Sequence, residues 1–245
     1  MKWTRPESVP FPSVWRRFEG AKPFPNGKRP RYRVQDFTEN YRDDVLKNMR
    51  ENFLPDEPLS YSLGLADDEV AVADMFAVWN EFMDRKLVLI CLLENRDELG
   101  DDSLPVLVGC NMTGPKQADD HSEEPRSPIA KKIFDFIHYT ESNLDVFNRY
   151  GVDVLMYAMG LSVDRRFRGQ GIGLEILKSR YEMGRAVGIG LTMTVFTAIG
   201  SQKQAERAGF ETIYEIAYED YKVDGEVVFK ITSPKTMKIM AARIT

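Results

Sequence analysis

"RFRGQGIGLEI", residues Arg166–Ile176, places glycines on alternate positions, Gly169, Gly171 and Gly173, between an apolar strand-like run and a helix-like one. With no Cβ in the way, backbone N–H groups at such a turn can approach a ligand closely. The helix that follows leaves its first N–H groups unsatisfied and aims the positive end of its dipole into the same space. Such a place suits an anion, above all phosphate or pyrophosphate. Arg165, Arg166 and Arg168 add positive charge beside it. A tight strand-to-helix turn, with the arginines solvated on its outside, is the competing use of the same residues.

Two phosphate-binding folds are disfavoured by the neighbouring residues. A P-loop closes its glycine run with Lys and Ser or Thr, whereas Gly173 is followed by Leu174 and Glu175. A dinucleotide fold needs an acidic residue about 20 positions on to hold the ribose, and no Asp or Glu occurs from Met183 through Ala205. The unit also lies late in the chain.

Working outward, the order of elements reads as one α/β domain around a mixed sheet. "RYRVQDFT" alternates like a strand, and "ENYRDDVLKNMRENFL" has helical spacing until Pro55 and Pro58 interrupt it. A second helical stretch carries Val70, Ala73, Phe76, Ala77 and Phe82. "KLVLICLLE" and "LPVLVGCNMTG" flank an acidic turn and are expected to form a hairpin. One long helix is expected over "IAKKIFDFIHYTESNLDVFNRYG", then the strand "LMYAMGLSVD", the glycine loop and its helix. The strand "LTMTVFTA", the short helix "SQKQAERAG" and the strands "ETIYEIAYED" and "VVFKIT" follow, and the apolar "MKIMAARI" closes the chain. Residues 1–30, rich in Pro, Lys and Arg, are expected to be a partly ordered surface extension. Trp3, Phe11, Trp15 and Phe18 imply that some of it packs on a single domain spanning 31–245.

The 245 residues are 43% hydrophobic and 29% charged, a globular composition, and the net charge of −5 argues against a nucleic-acid partner. Cys91 and Cys110 lie in apolar runs and are expected to be buried free thiols of a reducing compartment. The first 20 residues lack a signal peptide's apolar block, and "LVLICLL" (Leu87–Leu93) falls short of the roughly 20 residues that span a membrane. A cytoplasmic protein, without a membrane partner, is expected.

Arg168-x-x-Gly171-x-Gly173, after a strand ending "LSVD", resembles the acetyl-CoA signature of the GNAT superfamily of N-acetyltransferases, and "AERAGFE" fits the same family. "FLPDEPLSYSLGL" (Phe53–Leu65), "YKVDGEVVFK" (Tyr221–Lys230) and "LSVDRRFRGQGIG" further resemble the insect-type arylalkylamine N-acetyltransferases, the dopamine N-acetyltransferase group. The resemblance spans 31–245. It implies a central mixed, mostly antiparallel sheet of about seven strands flanked by helices on both faces. It implies acetyl-CoA as cosubstrate, with the pyrophosphate held by the main chain of Arg168, Gly169, Gln170, Gly171, Ile172 and Gly173. Arg166, Arg168 and Lys203 would stand near the phosphates. Leu161, Ser162 and Val163 would form a splayed edge along the pantetheine.

In that group the glutamate of Asp-Glu-Pro-Leu, here Glu57, is the general base, with direct transfer of acetyl to the primary amine of dopamine, serotonin or tyramine. The chemistry is sound, since a protonated amine must lose a proton before it can attack a thioester. A helix-entry charge is the other use of a glutamate at this place. The group's pair of hydroxyls four apart falls on Thr197 and Ser201, the latter a possible proton donor to the CoA thiolate and equally a helix N-cap. The residues Ala198 to Gly200 depart from the group and leave room for a polyamine or hydrazine-like acceptor, or for a non-catalytic acyl-CoA-binding protein. Phe53, Tyr61, Phe76, Trp79 and Phe82 are candidates to line an aromatic pocket, although helical aromatics are more often core. His121 and His138 are expected on the surface or in packing. No metal is called for, and a monomer is expected.

Overall fold

Tyr32 and Val34 alternate with half-exposed or exposed residues along β2 (Arg31–Asp36), while all of β3 (Leu89–Leu93) is buried. That contrast places β3 in the middle of a sheet covered on both faces. The protein is described by a computed structural model covering residues 2–120 and 124–245; His121 lies outside the described residues.

In chain order the elements are β1 (Val14–Glu19), β2, α1 (Arg42–Asn48, prolonged by a wide turn over Met49–Phe53), α2 (Pro58–Ser62), α3 (Glu69–Asp84) and β3. Then come α4 (Arg96–Leu99), β4 (Leu107–Gln117), α5 (Pro128–Ser142), α6 (Val146–Tyr150) and β5 (Val154–Val163). The chain ends with α7 (Ile172–Val187), β6 (Leu191–Phe196), α8 (Ile199–Arg207), β7 (Glu211–Ala217), β8 (Lys222–Val223), β9 (Glu226–Val227) and β10 (Thr236–Arg243). Eight strands form one sheet in the order β1-β2-β3-β4-β5-β6-β10-β7, antiparallel except for β5 with β6. β8 and β9 make a separate two-stranded ribbon.

On one face, α1, α3 and α5 bury Met49, Trp79 and Phe136 against the sheet. On the other, α7 buries Ile172, Ile176, Met183 and Val187 against Val34, Leu89, Cys91 and Met156. Cys91 and Cys110 are both buried and unpaired, on opposite faces. Burial pushes both thiols up, Cys110 to about 12, so neither is a nucleophile at neutral pH.

The structure departs from the sequence reading in three places. Residues Val14–Glu19 are an edge strand of the sheet, paired antiparallel with β2. The long helix ends at Ser142, where Asn143 Nδ2 donates to the Tyr139 carbonyl at 2.7 Å and α6 restarts beyond it. "VVFKIT" is not a strand; Val227 closes the small ribbon, and Phe229 is buried against Phe136, Tyr218 and Tyr221. The closing apolar "MKIMAARI", to which the sequence assigns no element type, is β10, inserted between β6 and β7.

Candidate active site

The site starts from a fault in the sheet. β5 and β6 pair only from Met156 to Ala158, against Thr192 to Thr194. Beyond that, Asn111 of β4 faces Leu161 while Thr113 faces Ala158, so β5 carries one extra residue and swings away from β6. Gly160 sits in this bulge at φ +115, where an added Cβ would lie 2.7 Å from Met49 Cε and 3.1 Å from the Phe53 ring. Both bulge carbonyls are held by side chains. Trp79 Nε1 donates to Met159 O at 2.8 Å, and Asn111 Nδ2 donates to Gly160 O at 2.7 Å.

Arg180, fully buried on α7, secures the same point from below. Its Nε donates to Asn111 Oδ1 (2.9 Å) and its Nη1 to Thr192 Oγ1 (3.1 Å) and Thr194 Oγ1 (2.7 Å), while Nη2 has no partner. Burial lowers its pKa to about 9, which leaves it cationic at neutral pH. The sequence carried a signal for it. Ile176, Arg180, Met183 and Val187 share the buried stripe of α7, and a charge in an apolar row is a residue with a task.

A cavity of about 670 Å³ opens between the splayed strands and reaches from the glycine loop to Glu57. Leu161, Ser162, Val163, Arg168, Gly169, Gly171, Ile172 and Gly173 are all in its wall. Gly169 (φ +81) and Gly171 (φ +89) need the left-handed backbone that glycine adopts freely, and Gly171 is the N-cap of α7. The N–H groups of Ile172, Gly173 and Leu174, in the helix's first turn, have no intrahelical acceptor, and all three residues line the cavity.

The charged residues are arranged differently from the sequence expectation. Arg165 and Arg168 both grip Asp56, Arg165 at 2.8 and 3.2 Å and Arg168 at 2.6 Å, and Arg168 also donates to Asn52 O. Burial alone would raise the Asp56 carboxyl, but the two guanidiniums outweigh it and hold it below the usual range. Arg166 folds back onto Asp164, at 2.8 and 3.1 Å, and stands outside the cavity wall. Gln170 is also outside it, turned toward the N-terminal segment, where its Oε1 accepts from Lys22 N at 2.9 Å. Lys203 is exposed on the outer side of α8. Gly200, Ser201, Gln204 and Arg207, three or four apart, form the face that meets the cavity.

At the other end, Glu57 lies in the cavity wall and caps α2. Its Oε1 accepts from Leu59 N at 3.0 Å, and its Oε2 accepts from Ser60 N and Ser60 Oγ, each at 2.7 Å. Pro58, at the first helical position, has no N–H to satisfy. The two sequence readings of Glu57 are therefore compatible, because a carboxylate offers about four acceptor positions and three are in use. Burial, and then the Glu57 charge, push the Tyr218 hydroxyl up; that hydroxyl donates to Thr197 O at 2.9 Å. Thr197 and Ser201 are both in the wall. Ser201 is not the helix cap, which is Ala198; its Oγ donates back to Ala198 O at 2.8 Å.

Phe53, Leu59, Met75, Ile133, Phe134 and Ile137 give the wall an apolar part, beside the polar Asn52, Asp56, Ser60 and Tyr157. Of the five candidate aromatics, Phe53 alone is in it. Phe76 and Trp79 pack on one another in the core, Phe82 lies against Gly114, and Tyr61 is 74% exposed. His138 is exposed on α5, outside the wall. Among the described residues no group of His, Cys, Asp or Glu is placed to hold a metal, and no helix is long and apolar enough to cross a membrane.

A mixed sheet splayed beside a glycine loop, with helices on both faces, defines a GNAT-type acyltransferase fold. No protein-family model matches the sequence. Among solved structures, the chain is similar to an insect protein named "putative arylalkylamine N-acetyltransferase 7", from the yellow fever mosquito Aedes aegypti. The two share 36% identity at a TM-score of 0.90, over 100% of each chain. It is also similar in fold to arylalkylamine N-acetyltransferase 2 of Aedes aegypti, at 24% identity and a TM-score of 0.77, over 87% of this chain and 99% of that one. A polyamine N-acetyltransferase of Drosophila melanogaster, described as forming N-acetylagmatine, shares the fold at 17% identity and a TM-score of 0.70, over 86% and 99%. The chain belongs to the insect-type arylalkylamine N-acetyltransferases, acyltransferases of the GNAT superfamily. The match over both full lengths includes the first thirty residues, which the motif resemblance left out.

Proposed function

We propose that the protein transfers acetyl from acetyl-CoA to the primary amine of a small arylalkylamine. The observation that carries this is the division of charge in one continuous cavity. Its donor end is a cradle of main-chain N–H groups, and its acceptor end, with Glu57, carries the apolar part of the wall. The only other carboxylate among the cavity-lining residues is Asp56, which two arginines already occupy. A polyamine or an agmatine-like acceptor brings a second cation that would be buried here without a partner, at a cost of several kcal/mol. An aromatic body suits the same wall.

In this reading the main chain of Arg168 to Gly173 holds the pyrophosphate, and the unpaired edge of Leu161 to Val163 runs beside the pantetheine arm. Glu57 takes a proton from the substrate ammonium, directly or through water. The freed nitrogen forms its bond to the acetyl carbonyl carbon, the carbon–sulfur bond breaks, and the electron pair leaves with the CoA thiolate. Ser201, turning from the Ala198 carbonyl, gives its hydroxyl proton to that sulfur and is reprotonated by the second proton that the acylated nitrogen sheds, while Glu57 releases the first to solvent; Thr197 supports Ser201 in the wall. Arg180 adds a fixed positive charge below the point where the strands part.

The test is a panel of amines assayed by CoA release. Tyramine, dopamine, serotonin and tryptamine are expected to exceed agmatine and spermidine in kcat/KM by at least about 100-fold, or ~2.7 kcal/mol. Equal or better turnover of the polyamines overturns the acceptor assignment.

A further inference from the structure

We infer that the N-terminal segment belongs to the donor site, and that Lys22 binds the phosphates of CoA. The inference rests on the reading that this cavity takes acetyl-CoA. The loop's own cations are already committed: Arg165 and Arg168 are paired with Asp56 and Arg166 with Asp164. The loop therefore presents N–H groups with its side-chain charge largely neutralised. Lys22 supplies charge from outside. Its ammonium stands 3.7 Å from where a Cβ on Gly169 would be, exposed beside the donor end of the cavity rather than in its wall, and it is in no ion pair among the described residues.

The backbone that carries Lys22 is fixed to the loop rather than passing over it. Ala21 N donates to Gln170 O at 3.2 Å and Lys22 N to Gln170 Oε1 at 2.9 Å, so one residue holds two successive amides. Arg29 Nη1 donates to both Gly20 O and Ala21 O at 3.0 Å, and the Phe24 ring packs 6.0 Å from Phe167. Gly20 must be glycine here, since a Cβ would come within 2.6 Å of Gln170 Oε1 and of Pro30 Cγ. Ala21 is itself in the cavity wall. A lysine is a compact point charge, suited to phosphate oxygens whose geometry a fork need not match. Gln170 thus serves the cofactor by holding the segment that carries Lys22.

The experiment is calorimetric titration of the full chain with CoA and with dephospho-CoA, for wild type, Lys22→Ala, Lys22→Glu and Lys28→Glu. Lys28→Glu makes the same charge change on the same segment. We expect Lys22→Glu to weaken CoA by about tenfold or more and Lys22→Ala by about threefold, with Lys28→Glu within about twofold of wild type. A loss that persists with dephospho-CoA places Lys22 on the pyrophosphate, and one that vanishes places it on the 3′-phosphate; either supports the inference. CoA affinity unchanged in Lys22→Glu, or equally reduced in Lys28→Glu, overturns it. Failure of wild type to bind CoA overturns the donor reading, and this inference with it.

Discussion

Gly160 and Glu57 show how much of the site depends on single residues that satisfy two demands at once. Gly160 sits in the bulge, and its missing Cβ leaves room for Met49 in the core and for Phe53, which lines the cavity. Gly160→Ala meets both a left-handed backbone and a contact of 2.7 Å, and is expected to cost about 1–3 kcal/mol, read as a fall in Tm. Asp56 sets a pH dependence of known sign. Its folded carboxyl lies below the unpaired value of 3.8, so the two arginine pairs contribute stability fully present above that value and lost as pH falls through the lower, folded one. The Tm gap between wild type and Asp56→Asn is expected to stay constant from about pH 5 to 8 and to shrink below about pH 4. Glu57 and the glycines were legible in the sequence because their neighbours form motifs. The placement of Arg166 and Lys203 outside the cavity wall was not, because charge type is written in the chain and its surroundings are not. Asp164, two residues before Arg166, captures it at close range.

At the scale of elements, the legible features were those with a strong local period or a sharp boundary: the loop, α7, β5 and the β3–β4 pair. β1 was hidden because an edge strand has one neighbour and a half-exposed pattern, here broken by Arg16 and Arg17. What fixes it lies far off in sequence. Asp36, buried at the end of β2, accepts from Arg5, Ser13 N and Trp15 Nε1. Arg16 reaches Glu175 and Glu182 on α7. "MKIMAARI" was ambiguous for another reason: a short apolar run buried on both faces has no period by which to tell helix from strand. Asp36→Ala removes the acceptor for three groups of the N-terminal segment. Limited proteolysis is expected to cut that variant within its first thirty residues while the wild type survives there. Equal resistance of the two would show that β1 pairing alone holds the segment.

For the molecule as a whole, one sheet fault organises everything else. The extra residue in β5 parts it from β6; the gap becomes the cavity; α7 brings the N–H cradle to one end, and α2 brings Glu57 to the other. The N-terminal segment, the part of the chain with the weakest sequence signal, lies against the donor end through Gln170. The motif that points to acetyl-CoA lies in one contiguous stretch, the loop, whereas the other end of the cavity is made by side chains of α2, α3 and α5 that meet only in three dimensions. The most direct test of the account compares wild type with Glu57→Gln, which keeps an acceptor oxygen to cap α2. CoA release from acetyl-CoA and tryptamine is measured beside acetyl-CoA affinity. We expect turnover by wild type, a loss of kcat of at least about 100-fold in Glu57→Gln, and acetyl-CoA affinity unchanged. Full activity in Glu57→Gln, or a wild type that binds acetyl-CoA and acetylates no amine, would contradict it.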